Sequence, residues 1–438
     1  MEMDRESRWY TTILLGTAAL YLVAGFLLPS VLGVELDLFG IDRLRAFGPL
    51  GPLVVALILL AWVGIRDLGS AAAAASLRAR LAARPRTSLC LGAALMILVS
   101  WGLRSHLQSG DAKGFWMYFE YFVPRQGFYM RHDEIWEFVI HSKAWQLLNG
   151  LLGLNVVQSY QVVNCLAAGL AVPLIAWTAQ EYGPSRPWLF AGLFVAGGWI
   201  GLYFGDPENY TLTSLWLLLY FVLSARHLRG RVPLVAPAAA LGMAMTFHML
   251  SAFLLPSLGW LGLRALRARR GAELRQALLV FVFILFITFF LFHFLGIPLE
   301  YAVKKAYIGG FGGQYDKLFV APDRAYHAQI LQLMLLLCPG LPLILPLVLY
   351  RRIPRDAISM HLAISTAGMT FFILFWHSIV GIFSDWSLYA AFALPSSLLI
   401  WRSFIEGPEA ASRMRLAPAF LVVFGTHTLS WILGNHWL

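Results

Sequence analysis

Charge is scarce in this chain. Only 13% of its 438 residues are Asp, Glu, Lys or Arg, against ~25% in a typical soluble domain. Cysteine is scarcer still, at three: Cys90, Cys165 and Cys338. All three fall inside or at the edge of apolar runs, which excludes a disulfide or zinc framework and marks them as small packing residues. The sequence also lacks an internal repeat, a linker, a nucleotide-binding fingerprint, a nucleophile motif and a His/Cys metal cluster. Its low-complexity content is the alanine run 71–75. These absences argue against a modular soluble enzyme and leave one continuous domain.

Long apolar runs are abundant. Hydrophobic residues make up 59% of the chain, concentrated in stretches such as Leu278–Leu295 and Leu331–Leu349. Runs of ~18 or more apolar residues read as bilayer spans. The fold class is therefore an all-α polytopic membrane protein with about thirteen spans, eleven at the fewest. They lie near 10–32, 48–65, 87–104, 156–178, 188–204, 209–226, 233–250, 251–266, 277–296, 327–349, 358–377, 388–404 and 417–436. The seventh and eighth are divided near Pro256. The first run, Ile13–Leu32, is too long for a signal-peptide core and has no small-residue cleavage site, so it is expected to be retained.

A net charge of +10 raises nucleic acid as a partner, but its distribution argues for the bilayer instead. Arginines crowd into short loops between apolar runs: 66–86, 226–231, 264–275, 351–355 and 413–415. The positive-inside rule assigns these loops, and the N-terminus with Arg5 and Arg8, to the cytoplasm. All five lysines (Lys113, Lys143, Lys304, Lys305 and Lys317) fall on the other side. So do the two longest loops, about 105–155 and 297–326. The first is rich in aromatics (Phe115, Trp116, Tyr118, Tyr121, Trp136), as expected of amphipathic helices lying in the membrane interface.

Four segments on the assigned outer side carry polar groups that the apolar pattern does not need. They are Ser109-Gly110-Asp111, Asp206-Pro207-Glu208-Asn209-Tyr210, the loop from Lys304-Lys305 to Gly312-Gly313, and Ser384-Asp385-Trp386. Polar groups converging on one face suggest a cavity open to that side. Capping competes with this reading. Asp206-Pro207 has the form of a helix start, an Asp N-cap followed by Pro, and Ser384 or Asp385 would cap the next helix in the same way. His248, near the outer end of the seventh span, is either a hydrogen-bonded core histidine or a site residue. Lys304 and Lys305, beside four glycines, suit either an anion or lipid headgroups.

At these residues the sequence resembles the GT-C superfamily of integral-membrane glycosyltransferases, which includes protein mannosyltransferases and aminoarabinose transferases. Asp111 opens a long outer loop after a span, and the helix from Leu154 through Tyr160 and Asn164 to Trp177 follows it. Short patterns recur at Phe204–Tyr210, His248–Ser251 and Asp385-Trp386. The likeness covers about 87–404. It implies a module of seven helices at 87–297, preceded by a two-helix addition at 1–86 and followed by an outer loop and C-terminal helices at 298–438. The first loop has a single Asp111 where many members carry two adjacent acids; Asp133-Glu134 is such a pair, deeper in the loop.

The resemblance implies an inverting transferase that moves a sugar from a polyprenyl-phosphate donor to a lipid, glycan or protein acceptor. It also implies a prokaryotic plasma membrane, with the site facing outside. Asp111 would be the base. Lys304 and Lys305, with Arg131 as a weaker candidate, would stabilise the departing phosphate. Asp206, Glu208, Asn209, Tyr210, His248 and Asp385 would bind substrate. No cofactor is implied, and a divalent cation held by the acids is the less favoured alternative. The rival readings are a polymerase or ligase of lipid-linked glycans, and a transporter. A transporter predicts inverted repeats and helices interrupted at mid-depth, neither of which the sequence displays.

Overall fold

The computed structural model describes residues 5–22, 85–106, 112–129, 134–294, 324–375 and 382–437. The described residues are helical, with no strand. In chain order the α-helices are α1 (Arg5–Leu22), α2 (Pro85–Gly102), α3 (Ala112–Gln126), α4 (Ile135–Leu152), α5 (Val156–Tyr182), α6 (Pro187–Val195), α7 (Thr211–Leu228), α8 (Val235–Phe247), α9 (Leu255–Arg267) and α10 (Gly271–Phe294). They continue with α11 (Arg324–Leu337), α12 (Ile344–Leu349), α13 (Ala357–Phe375), α14 (Trp386–Glu406), α15 (Ala410–Arg413) and α16 (Ala417–Trp437). Short 3₁₀ segments cover Gly198–Tyr203, Met249–Leu254 and Leu341–Leu343.

Eight of the described helical segments are long and apolar enough to cross a bilayer, or nine if one bent pair counts as a single span. Helix α14 is buried from Trp386 through Ile405. Small residues on it (Ala390, Ala391, Ala393, Ser396, Ser397) let its neighbours approach from every side. Helices α2 and α10 lie at the other extreme. They expose Leu91, Leu95, Leu98, Leu278, Leu279, Phe283, Phe286 and Phe294. An apolar surface this extensive is not tolerated in water, and here it is the lipid-facing wall. The chain is an integral membrane protein.

Three expected spans differ in form. The seventh ends earlier than anticipated: α8 stops at Phe247, and His248 adopts an extended backbone (φ −151°, ψ 127°). The division from the next span is therefore at His248, and Pro256 sits inside the first turn of α9, where proline is tolerated. The expected span 188–204 is not one helix but α6 followed by a 3₁₀ segment. The expected span 327–349 is bent by 96° between its halves, at Cys338-Pro339-Gly340, where proline lacks an N–H. These two breaks meet. A Cβ placed on Gly197 would lie 2.7 Å from the Leu337 carbonyl oxygen, and one on Gly198 would lie 2.6 Å from that of Leu336. The glycine pair is what lets one interruption sit on the other. The expected span 48–65 lies outside the described residues.

The ion pairs between segments lie at helix ends, each at the face that the arginine distribution assigns, while Tyr220 meets Ser257 at 2.6 Å and His361 Nε2 at 3.2 Å between the ends. At the assigned inner end, Glu181 pairs with Arg229 and, at 3.0 Å, with Arg231. Asp356 pairs with Arg402. Glu6 on α1 bridges Arg413 at 3.1 Å and Arg352. Arg413 is buried, so removing Glu6 would strand a charge at a cost of ~3–5 kcal/mol. At the assigned outer end, Ser105 N–H donates to the Phe204 carbonyl at 2.7 Å and His106 N–H to that of Asn435 at 2.9 Å. Gln161 donates to the Ser105 carbonyl at 2.7 Å.

This sidedness is testable at two exposed positions with room for a side chain, in a Cys90→Ser background. Cysteine at Gly150 should react with an impermeant thiol reagent from outside intact cells, and cysteine at Ala268 only after permeabilisation. The opposite pattern would reverse the orientation.

Candidate functional site

The long outer loop folds into α3 and α4, whose small core of Phe119, Val123 and Phe138 packs on Val156 and Tyr160 of α5. Gly153, in the left-handed region at φ +68°, ends α4. Asn155 and Gln158 then form a reciprocal capping box that starts α5. This tight corner, with the outer end of α5 beside it, holds the first two turns of α4 against the 206–213 segment.

Four polar side chains at the start of α4 or just before it, and along the first turns of α5, face that segment. Glu134 receives a hydrogen bond from Asn209 Nδ2 on Oε2 at 2.8 Å, and its Oε1 lies 3.2 Å from His248 Nε2. Asn209 Oδ1 in turn accepts from the Tyr160 hydroxyl at 2.9 Å. His248 Nδ1 accepts the Leu250 N–H at 3.0 Å, so the proton of a neutral ring is on Nε2, pointing at Glu134. The His248 ring lies 5.0 Å from that of Tyr210, and the Tyr210 hydroxyl reaches Asp385 Oδ1 at 3.4 Å. Asn209 and Tyr210, His248 and Asp385, expected from the sequence as substrate-binding residues, thus belong to one connected cluster drawn from three segments. Glu208 is buried beside them, close enough for its charge to act on Tyr160.

The capping role expected of Asp206 is overturned. Helix α7 begins at Thr211, after Tyr210, four residues beyond Pro207, so Asp206 is too far upstream to cap it. The cap comes from another helix. Glu137 Oε1 accepts the Thr213 N–H at 2.7 Å and the Thr213 hydroxyl at 2.8 Å. Asp385 immediately precedes α14 but makes no capping hydrogen bond.

Asp206 instead stands as a buried carboxyl whose two oxygens accept no hydrogen bond. Burial pushes it well above the ordinary carboxylate range. It is held there through its backbone. Asn164 Nδ2 donates to its carbonyl, and Gly205 before it turns at φ +65°, with space for a Cβ blocked by Arg104 Cβ at 2.9 Å. Burial likewise pushes Glu137 up, opposed by the donors of Thr213 and Leu212. It pushes His141 down, opposed by hydrogen bonds to Glu137 and Asn164.

No protein-family model, curated protein or solved structure matches the chain.

Asp111, Arg131, Lys304 and Lys305 lie outside the described residues. Among the described residues, no group of three or more His, Cys, Asp or Glu could hold a metal ion, so the divalent-cation alternative has no ligand set there. Glu137 and His141 were not singled out in the sequence. Their signal was present: Glu134, Glu137 and His141 are spaced i, i+3, i+7, one face of a helix. It is hard to see because the surrounding aromatics dominate the pattern.

The bonding pattern separates two substitutions. Asn209→Leu strips Glu134 and Tyr160 of a shared partner and should cost about 1–3 kcal/mol, read as a lower thermal midpoint in detergent. Asp206→Asn removes no hydrogen bond and should leave the midpoint unchanged or raise it. The sign of the pH dependence follows. A carboxyl raised on folding stabilises below its unfolded pKa, and that contribution is lost as pH rises through the folded value. Wild type should therefore lose stability from pH 5 to pH 8 by more than Asp206→Asn does.

Proposed function

We propose that the chain is an inverting membrane glycosyltransferase that moves a sugar from a polyprenyl-phosphate donor to a lipid, glycan or protein acceptor on the extracytoplasmic face. The supporting observation is the convergence of Asn209, Tyr210, His248 and Asp385 with Glu134 into one connected, largely buried cluster of hydrogen bonds and a ring contact, flanked by Asp206 and Glu208, at the end of the bundle assigned to that face. A sugar presents hydroxyls in several directions. Fixed carboxylates, amides and a tyrosine hydroxyl are the groups that can accept from them and donate to them.

In this reading Asp111 takes the acceptor proton as the sugar–phosphate bond breaks. Lys304 and Lys305, with Arg131, meet the charge that develops on the leaving phosphate. Asp206, Glu208 and Asp385 orient sugar hydroxyls. A polymerase or ligase of lipid-linked glycans would use the same donor class and the same face. A transporter is a second reading, favoured by one observation: two interrupted helical segments touch at their breaks, Gly197-Gly198 against Leu336 and Leu337. Irregular backbone at mid-depth is a recurring feature of transporter sites.

The deciding experiment incubates the purified full chain, in a bilayer, with a panel of polyprenyl-phosphate sugars and follows sugar release. Asp111→Asn should slow transfer by at least ~10²-fold with donor binding retained. The double variant Lys304→Gln/Lys305→Gln should weaken donor binding. Asp206→Asn and Asp385→Asn should raise KM. If Asp111→Asn turns over normally while Asp206→Asn or Asp385→Asn is inactive, the base moves to that residue. If no donor in the panel is consumed while vesicles containing the protein accumulate a solute, the transporter reading replaces this one.

A further inference from the structure

Glu137 and His141 stand one helical turn apart on α4, and neither side chain is exposed to solvent. His141 Nδ1 lies 2.7 Å from the Glu137 carbonyl oxygen. A carbonyl only accepts, so Nδ1 carries a proton. His141 Nε2 lies 3.3 Å from Asn164 Oδ1. The Asn164 amide cannot be turned round to offer its NH₂ instead, because that NH₂ donates to the Asp206 carbonyl. Reversing it would set two acceptors face to face. Both ring nitrogens therefore point at acceptors, the hydrogen-bonding pattern of an imidazolium.

The matching negative charge is at hand. Glu137 Oε2 accepts no hydrogen bond and lies 3.8 Å from His141 Nδ1. Its other oxygen takes two donors from Thr213 at the N-terminus of α7, where the helix dipole favours an anion. The Tyr160 ring stacks on His141 with centroids 3.8 Å apart and planes 11° from parallel, an arrangement that suits a cation. The other titratable groups around the pair are Glu134, Tyr160 and Tyr203. Glu134 is already engaged by His248 and Asn209. Burial opposes charge separation here: it lowers the pKa of His141 and raises that of Glu137, each toward its neutral form, and the hydrogen-bonding geometry is what argues for the charged pair. The counter-charge, the Thr213 donors and the tyrosine face offset that burial.

We infer that Glu137 and His141 form a buried proton-binding site that holds one proton, seated on the imidazole, and that this proton keeps the 206–213 segment in place. The pair is net neutral. Through Thr213 the carboxylate caps α7, and through Asn164 the imidazolium steadies the loop that carries Asp206. Neither point depends on the reaction the chain performs, so the inference stands apart from the transferase reading.

Nitrogen NMR of the full chain, labelled at its histidines and reconstituted in a bilayer at pH 7, tests this directly. His141→Gln identifies the His141 resonances by their loss. Should that variant not fold, Glu137→Gln serves, since it keeps an acceptor for Thr213 and removes only the charge. The expected result is two protonated ring nitrogens at His141 in wild type and one in Glu137→Gln. Amide exchange over 205–213 should be faster in Glu137→Gln than in wild type. A neutral His141 ring in wild type, or an imidazolium that survives Glu137→Gln, would overturn the proton-binding site. Unchanged exchange over 205–213 would overturn its control of the segment.

Discussion

A polar group inside a bilayer has no water to fall back on, and each backbone or side-chain donor left without a protein partner there costs several kcal/mol. The architecture follows from that single constraint. The ion pairs are sorted to the two ends of the helices, and the middle is mostly apolar packing around α14, with Tyr220 hydrogen-bonded to Ser257 and His361. The assigned inner end solves the problem with arginine: Glu6, Glu181 and Asp356 are each matched by guanidinium groups from neighbouring loops. The outer end solves it with amides, hydroxyls and histidine around Glu134 and Glu137. One end is a lattice of ion pairs that ties loops together. The other is a cluster of acids held by amide, hydroxyl and imidazole groups.

The same constraint explains why one helix start at the assigned outer face, that of α7, is capped from a distance. Helix α7 begins within the protein, where its first N–H groups have no water to meet. A local Asp would satisfy one of them, but Asp206 is turned elsewhere by Gly205 and held by Asn164. Glu137 on α4 supplies the acceptor instead. A cap borrowed from another helix does more than a local one, because it fixes the distance between α4 and α7. That distance sets where Glu134 meets Asn209 and His248, and so ties the cluster's geometry to the helix start.

Interrupted helices are the exception at mid-depth, and they obey the rule in their own way. The breaks at 196–198 and 338–340 are buried against one another and against α14, not exposed to lipid. Cys338 receives the Ser397 hydroxyl at 3.3 Å, and Trp199 Nε1 satisfies the Phe194 carbonyl at 3.0 Å. Side chains thus take over some of the hydrogen bonding that a continuous helix would provide.

Much of this was legible in the sequence, because the length of an apolar run and the placement of arginine are local quantities that answer directly to bilayer thickness and membrane charge. The helical class, most span positions and the grouping of loops by face rest on them. So does the expectation that 206–210, His248 and Asp385 share an end. The partners within that end could not be read there. Asp206-Pro207 and Glu134 both have the local chemistry of caps or solvated loop acids, and nothing in their neighbours reveals which acid turns toward which helix. Residues 76 positions apart, Glu137 and Thr213, meet only once α4 folds back over α7. A proline and a pair of glycines do not announce whether a helix bends, ends or continues until another backbone presses against them. Hydrophobic periodicity places helices relative to the membrane. Which polar groups satisfy one another is decided by the packing of those helices against each other, and that is a property of the tertiary structure alone.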